Sequence, residues 1–198
     1  MGIKNLFKLI KMESKDSIKD IDFNNIHMRK IAIDTSIVLY QYVVAIRSRG
    51  ADLKTSNDII TSHIYGILSK AVGLIEKGIL PIFVFDGKPP AIKQKILDNR
   101  KKLRNEAKKA LETISDDEER IKMLKKSVVI TRKQMEECKE VLRLMGLPVI
   151  EAPEEADSQC AYLSKKKLTY GVASEDMDLL TFGTPYLLRN FSVSKKKQ

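Results

Sequence analysis

The sequence contains little cysteine and little histidine, and these few residues do not form a recognisable site. Cys138 and Cys160 are the only cysteines among 198 residues and belong to no C-x-x-C pair, so neither a disulfide framework nor a zinc site is predicted. His27 and His63, the only histidines, have no matching ligand or nucleophile partner and are interpreted as structural. A reducing compartment is the default expectation for such a chain.

Long hydrophobic runs are also absent from the sequence. No stretch of about 18 apolar residues occurs, and the first ten residues are too short and too interrupted by lysine for a secretory signal. Gly2 follows the first methionine, but Leu6 stands where a myristoylation site requires serine or threonine. We therefore expect a soluble, intracellular protein without a membrane partner.

What the sequence does have is positive charge and enough apolar residues for a core. Hydrophobic residues make up 43% of the chain, which fits one domain with an appendage. Lys and Arg outnumber Asp and Glu by 36 to 26, giving a formal net charge of +10. A polyanion, a phosphate-rich ligand or an anionic surface is thus favoured as partner, and charge alone does not choose among them.

Four short segments have the β-branched and aromatic composition of strands, with turn residues around them: 30–36, 80–87, 147–153 and 170–178. Helical patterns separate the strands, at 36–50, 57–78 and 133–146. This alternation predicts an α/β fold, a three-layer, mostly parallel sheet with helices on both faces. The carboxyl ends of parallel strands open on one side of the sheet, where ligands bind.

Acidic residues stand at the carboxyl ends of these strands. Asp34 and Asp86 end the first two segments. Asp176 and Asp178 end the last one, and we expect their side chains to point the same way because they lie two positions apart in extended chain. The helix predicted after the third strand places Glu155 and a further acid, Asp157, in its first turn at the same edge.

Carboxylates gathered in one crevice repel one another unless cations lie among them. Oxygen ligands without histidine or cysteine favour a hard ion, Mg²⁺ with Mn²⁺ as a possible substitute, over zinc. A wide acidic group suits two ions roughly 3.5–4 Å apart, which activate a water and stabilise the leaving oxygen of a phosphodiester. For a single strand-end aspartate a turn or capping role is commoner than ligation, so the prediction depends on the joint pattern.

A basic appendage lies between the second and third strands. Residues 87–126 contain thirteen Lys or Arg against seven Asp or Glu. Their helical pattern is broken at 115–119, which predicts two helices joined by an acidic turn. A solvated helical pair with ordinary charge pairing is the alternative. Because the appendage directly follows the DGKPP corner, we favour a gate that binds nucleic-acid phosphates over the acidic pocket.

Seven motifs occur in the order and at the spacing of one known family: MGIKNL, IAIDTSIVLYQY, TSHIYGI, IFVFDGKPPAIK, ECKEVLRLMGLP, EAPEEADSQCAYL and ASEDMDLLTFG. The chain resembles the flap endonucleases, structure-specific 5′ nucleases of DNA replication and repair within the XPG-type nucleases. The resemblance spans essentially the whole chain. It implies one nuclease domain over 1–198 with a PIN-like core, and a helical arch inserted at 91–130.

The resemblance also implies roles for particular residues. The metal ligands would be Asp34, Asp86, Glu155, Asp157, Asp176 and Asp178, with Asp157 standing where glutamate is usual. Lys93 and Arg100, on the first arch helix, would be catalytic, holding the scissile phosphate and stabilising charge in the transition state. The implied DNA contacts are Gly2, Tyr40, Arg47, Lys70, Lys93, Arg100 and Glu155.

Several of these contacts have a simpler alternative. Tyr40 would stack on a base or support the arch, but it also fits an ordinary core position. Arg47 and Lys70 would contact duplex DNA, although an isolated basic residue is more commonly an ordinary surface charge. The resemblance places the amino end of Gly2 near the active site.

The activity that the resemblance implies is Mg²⁺-dependent 5′ flap endonuclease and 5′–3′ exonuclease cleavage of branched or flapped DNA, in the nucleus or at sites of replication. Members of the family continue with a seventh aspartate and a duplex-gripping helical element, which this sequence lacks, together with any clamp-binding motif. We therefore keep a second hypothesis, a catalytically incomplete, DNA-binding nuclease-like domain that needs a separate C-terminal segment or a replication partner.

A phosphoaspartyl phosphatase would also use strand-end acids and Mg²⁺. It fits poorly, because Asp34 is followed by Thr35 and Ser36 where a D-x-D pair is needed.

Overall fold

A computed structural model describes residues 3, 5–48, 52–111, 113–114 and 116–191. Its centre is a five-stranded sheet in the order β3-β2-β1-β4-β5, and every neighbouring pair of strands is parallel. The strands are β1 (Lys30–Asp34), β2 (Leu80–Phe85), β3 (Val149–Glu151), β4 (Gly171–Ala173) and β5 (Leu187–Leu188). The predicted α/β fold with a parallel sheet is confirmed.

The helices of the described ranges alternate with the strands or extend from them. They are α1 (Leu6–Glu13), α2 (Thr35–Arg47), α3 (Ser62–Glu76), α4 (Gln94–Ala110), α5 (Asp117–Ser127), α6 (Arg132–Leu144) and α7 (Ala156–Lys165). None of the helices in this described part of the chain combines the length and the apolar character needed to cross a membrane.

The sheet is buried on both faces because apolar residues occupy successive positions of its strands. On one face Ile31 and Ile33 of β1 pack in a cluster with buried residues of α2, α3 and α6. On the other face Ala32 of β1 packs with Val172 of β4 and with the buried side of α7. Helices thus cover both faces, as the strand and helix pattern predicted.

The strand order changes direction at β1, which lies between β2 and β4. The chain builds outwards from β1 to β2 and β3 and then crosses to β4 and β5 on the other side. Ligands of open α/β sheets bind at such a reversal, outside the carboxyl ends of the strands. Asp34 is the last residue of β1 and therefore lies at this point.

Several predicted boundaries were wrong. The strand predicted over 30–36 ends at Asp34, because this residue caps α2, which begins at the next position. The helix predicted from 57 begins at Ser62, because Lys54 and Ile60 form an antiparallel bridge and Asp58 has a left-handed φ of 61°. Strand β5 and helix α1 were not predicted.

The two helices predicted in the basic appendage are present. Helices α4 and α5 pack against each other between β2 and α6. The chain returning from α5 docks on the core, where Val128 and Ile130 pack against Val43 and Val44 of α2. The appendage is therefore fastened to the core at α2, the helix that follows β1.

Candidate active site

Asp34 is held at the centre of the site by its position between strand and helix. Its carboxyl is 3% exposed and caps α2 by accepting the Ile37 N–H at 3.4 Å. The other oxygen accepts the hydroxyl of Ser174 at 3.1 Å, from the loop that follows β4. Both oxygens are thus oriented by the protein.

Asp86 follows β2, and its carboxylate links the end of this strand to helices α2 and α7. One oxygen accepts the N–H of Ala156 at 2.9 Å, and the other accepts the hydroxyl of Ser36. The next residue, Gly87, donates its N–H to the Glu154 carbonyl at 2.7 Å. A Cβ at Gly87 would lie 2.0 Å from the carbonyl oxygen of Ala152, so this close approach of two loops requires glycine.

Glu155 and Asp157 enter the site from the start of α7. Glu155 is the residue before the helix, and its carboxylate does not cap the helix but pairs with Lys93 at 2.5 Å. Asp157 lies in the first turn, close enough to Asp34, Asp86 and Asp176 for their charges to affect one another. Acids from β1, β2, α7 and the loop after β4 are therefore brought together.

Asp176 and Asp178 are arranged differently from the prediction. Residues Met177–Leu180 form a short 3₁₀ helix, with Asp176 as its cap accepting the Asp178 N–H at 3.0 Å. The expectation of an extended stretch with parallel side chains was wrong, because this capping bond turns the chain. The Asp178 carboxylate accepts the N–H of Ile3 at 2.6 Å and so holds the N-terminal segment.

The crowding of acids has an electrostatic cost. Burial, together with the charges of Asp157 and Asp86, raises the pKa of Asp34 to about 8. Burial and then the charges of Asp176, Asp86 and Glu155 raise the pKa of Asp157 to about 6. These two carboxyls lie within hydrogen-bonding reach when one of them carries a proton. The site would be stabilised by a cation or by a shared proton.

The donor set fits a hard divalent cation. All candidate ligands are carboxylate oxygens, and with the acids ionised Oδ1 of Asp157 is buried without a hydrogen-bond partner. In their present positions, however, no three or more His, Cys, Asp or Glu side chains of the described ranges form a group that could hold a metal ion. Several of the carboxylates instead accept hydrogen bonds from Ser36, Ser174, Lys93 and Ile3.

Of the two predicted arch residues, only Arg100 is on α4, because Lys93 ends a short 3₁₀ turn, Ala91–Lys93, just before this helix; the catalytic role of both stays a prediction. Lys93 precedes α4, and its ammonium reaches Glu155 at the edge of the acidic group. Arg100 lies on the exposed side of α4. Tyr40 on α2 donates its hydroxyl to the Lys125 carbonyl at 2.5 Å, which links the core to α5. The contact fastens α5 to α2, and the role of Tyr40 toward DNA, with stacking on a base, stays a prediction.

The other predicted DNA contacts have partners within the protein. The Nε of Arg47 donates to both oxygens of Asp52, at 2.9 and 3.0 Å. Lys70 is 6% exposed and donates to the Phe191 carbonyl, while burial lowers the pKa of its ammonium to about 8. Lys70 is thus inside the protein in this arrangement and does not present its charge to a duplex. Gly2 lies outside the described residues.

Sequence reasoning missed the neutral residues that hold the acids. Ser36 and Ser174 donate to Asp86 and Asp34, and Gly87 permits the close approach of the loops. Serines near acids are too common in sequences to signal this role. Both histidines were interpreted as structural. His63 fits this interpretation, because it is buried and its side chain bonds Glu137 at 2.6 Å.

Two family models match the sequence. Residues 1–107 match the XPG N-terminal domain, and residues 146–198 match the XPG I-region. The chain belongs to the XPG family. The first matched region contains the candidate acids that follow β1 and β2, and the second contains those of α7 and of the loop after β4.

Relatives within the XPG family support this assignment. Flap endonuclease 1 of Naegleria gruberi is 43% identical over 201 residues, covering 100% of this chain and 52% of that protein. Flap endonuclease 1 of Chlamydomonas reinhardtii is 45% identical over 194 residues, covering 96% of this chain and 49% of that protein. The chain thus spans about half the length of the curated relatives it matches.

Solved structures of XPG-family nucleases have the same core. The catalytic core of Rad2 in complex with DNA substrate superposes with a TM-score of 0.69 at 27% identity, over 98% of this chain and 52% of that one. Flap endonuclease-1 from Methanococcus jannaschii gives a TM-score of 0.66 at 36% identity, over 91% of this chain and 58% of that one. The fold is that of the PIN-like nuclease core of these enzymes.

Proposed function

We propose that this chain is the nuclease domain of a metal-dependent, structure-specific 5′ flap endonuclease that also acts as a 5′–3′ exonuclease. The observation that carries the proposal is the convergence of Asp34, Asp86, Glu155, Asp157 and Asp176 at one edge of the sheet. A basic helical arch begins at the same edge, and its Lys93 touches one of these acids. Acids for cations and lysines for phosphates are thus combined in one place.

The arch residues would bind and orient the substrate. Lys and Arg of α4 and α5 attract the phosphates of a single-stranded 5′ flap. Lys93 and Arg100 hold the scissile phosphate above the acids and stabilise the charge that develops on it. Tyr40, fixed by its bond to the arch, supports α5 and offers its ring to a base at the junction.

The carboxylates would hold two Mg²⁺ ions, for which Mn²⁺ can substitute. When bound, these ions neutralise the acids, polarise the scissile phosphate and assist the attack of water. Asp34, Asp86, Asp157 and Asp176 would supply ligands, and Glu155 would join them by giving up its bond with Lys93. Asp178, whose carboxylate accepts the Ile3 N–H in this arrangement, would be the sixth candidate ligand. The products would be a 5′-phosphate and a 3′-hydroxyl.

The biological setting that we propose follows from the relatives. Flapped DNA arises in replication and repair, and a flap endonuclease of this kind would work in the nucleus. The proposed architecture is one domain over 1–198 with the arch inserted at 91–130. Grip on the duplex would come from a further polypeptide segment or a replication partner, because Lys70 is buried and the Nε of Arg47 is paired with Asp52.

A second candidate function is that of a DNA-binding domain without activity of its own. The observation that favours it is that, among the described residues, no group of three or more His, Cys, Asp or Glu side chains could hold a metal ion as it stands. In this case the arch would bind DNA, and a further polypeptide segment or a partner would complete the acidic site.

Cleavage of an end-labelled 5′-flap DNA by the 198-residue chain separates the two functions. The proposed nuclease cuts at the junction with Mg²⁺ and not with EDTA, and it leaves a linear single strand of the same sequence intact for longer. Binding without cutting would instead support the second candidate. A small phosphomonoester in the same buffer serves as control, because Mg²⁺-dependent turnover of it would contradict a nuclease and support a phosphatase.

A further inference from the structure

Ser174 occupies an unusual position between two of the site's acids. It follows Ala173, the last residue of β4, and Ala173 is paired in register with Ile33 of β1. Ser174 and Asp34 are therefore neighbours across the point where the strand order reverses. Ser174 is buried, with 8% of the residue's surface exposed.

The hydroxyl of Ser174 makes two bonds, and both concern candidate ligands. It donates to Oδ2 of Asp34 at 3.1 Å, and it accepts the backbone N–H of Asp176 at 3.2 Å. One hydroxyl thus fixes the rotation of a carboxyl on β1 and the start of the loop that carries a second carboxyl. Its backbone N–H is itself held by the Leu188 carbonyl of β5 at 3.3 Å.

Ser174 shares this kind of bond with Ser36, which donates to the candidate ligand Asp86, whereas three other serines bond locally. The hydroxyls of Ser48, Ser127 and Ser158 each donate to a carbonyl three positions earlier, which is a local bond within or beside a helix. Ser174 instead reaches a side chain 140 positions away. A local turn or cap does not account for that bond.

We infer that Ser174 is a positioning residue, whose hydroxyl sets the geometry of Asp34 and Asp176 toward a divalent cation. This inference rests on the proposed function, since the same carboxylates are involved. Groups that bond to ligands from outside typically change metal affinity by about 10–100-fold when removed. Because both bonds of the Ser174 hydroxyl go to residues that carry candidate ligands, we expect its effect in cation binding and not in the chemical step.

The test is calorimetric titration of Mg²⁺ and Mn²⁺ into the full chain and into variants. Ser174→Ala should weaken binding by about tenfold or more, because Asp34 and the Asp176 loop lose their common link. Ser174→Thr keeps the hydroxyl and should restore most of the affinity. Ser174→Cys keeps the volume but is a weak donor, and should bind as poorly as the alanine variant.

Ser164→Ala is the matched control. Ser164 on α7 is 2% exposed, and its Oγ has no hydrogen-bond partner among the described residues. This variant also removes a buried hydroxyl, so it should change thermal stability in EDTA without changing cation affinity. In cleavage assays Ser174→Ala should raise the Mg²⁺ concentration for half-maximal rate while the rate at saturating Mg²⁺ is kept.

Each outcome decides the inference. Equal cation affinity in the wild type and Ser174→Ala, or equal losses in Ser174→Ala and Ser164→Ala, would overturn it and leave the proposed nuclease standing. A wild-type chain that binds neither cation would overturn both. Weaker binding in Ser174→Ala and Ser174→Cys, with rescue by Ser174→Thr, would support it.

Discussion

At the scale of single residues, the ionisation of Asp34 is closely linked to the fold. It is buried at 3% exposure, and burial with the charges of Asp157 and Asp86 raises its pKa from 3.8 to about 8. The folded chain therefore holds a proton at Asp34 in a pH range where the unfolded chain has lost it. The stability from this proton is complete below about pH 4 and is lost as the pH rises through about 8.

The variant Asp34→Asn should remove this dependence. Without divalent cations, the free energy of unfolding of the wild type should fall relative to that of Asp34→Asn between about pH 4 and 8, by at most about 1.4 kcal/mol per pH unit. Urea unfolding in EDTA at several pH values measures the difference. Parallel curves for the two proteins would show that Asp34 is not protonated in the fold.

Lys93 gives a second prediction at the residue scale. Lys93→Ala removes a cation from the arch, and we expect the single-turnover cleavage rate to fall by about a hundredfold or more because charge on the phosphate is less stabilised. Affinity for the flap should change little, since many other phosphate contacts remain. Lys95→Ala, two residues further along and in the first turn of α4, is the matched control. A loss of affinity without a loss of rate would contradict the catalytic role.

The candidate acids could be predicted from the sequence because they follow strands, and parallel strands end at one edge. Their exact arrangement could not. Asp178 turns to Ile3, since the bond from its N–H to Asp176 starts a 3₁₀ helix that no spacing argument shows. Lys70 was expected at the surface, but its long apolar stem allows burial against Phe191. Such contacts depend on neighbours distant in the sequence.

At the scale of elements, the arch is held at its base rather than along its length. Tyr40 of α2 bonds the Lys125 carbonyl of α5, and Val128 packs against Val43 and Val44. The outer parts of α4 and α5 pack mainly on each other. The position of the arch relative to the acids therefore depends on a few contacts beside Tyr40.

The variant Tyr40→Phe tests the polar part of this attachment. Loss of the hydroxyl should weaken the docking of α5 by about 1 kcal/mol, the net value of one hydrogen bond, and speed hydrogen exchange of its amides. Tyr65→Phe, on the exposed side of α3, is the control. Unchanged exchange in α5 would contradict the supporting role. Because phenylalanine keeps the ring, any stacking on a base would survive in this variant.

The elements with strong patterns were predictable, and the weak ones were not. The four predicted strands lie over β1 to β4, because their runs of β-branched and aromatic residues are clear. Strand β5 has only two residues, Leu187–Leu188, and is defined by its pairing with β4. Helix α1 has only eight residues, none of them buried, and it lies outside the alternation of strands and core-facing helices from which the fold was predicted.

The whole molecule combines a net charge of +10 with a group of acids at one edge of its sheet. The excess positive charge lies largely in the arch, which extends from that edge. In the proposed function, attraction of DNA and its cleavage are thereby assigned to different parts of one chain. Removing an acid should stop the reaction and leave the attraction intact.

The most direct test of this account is the single-turnover cleavage rate of Asp86→Ala on a 5′-flap DNA, at a protein concentration that saturates binding. We predict that cleavage is abolished while the affinity for the flap stays near that of the wild type, because the basic arch is unchanged. Asp86→Asn, whose remaining carbonyl oxygen can still accept the Ala156 N–H while its amide NH₂ donates to the Ser36 hydroxyl, should behave in the same way. Cleavage at the wild-type rate, or a parallel loss of DNA binding, would contradict the account.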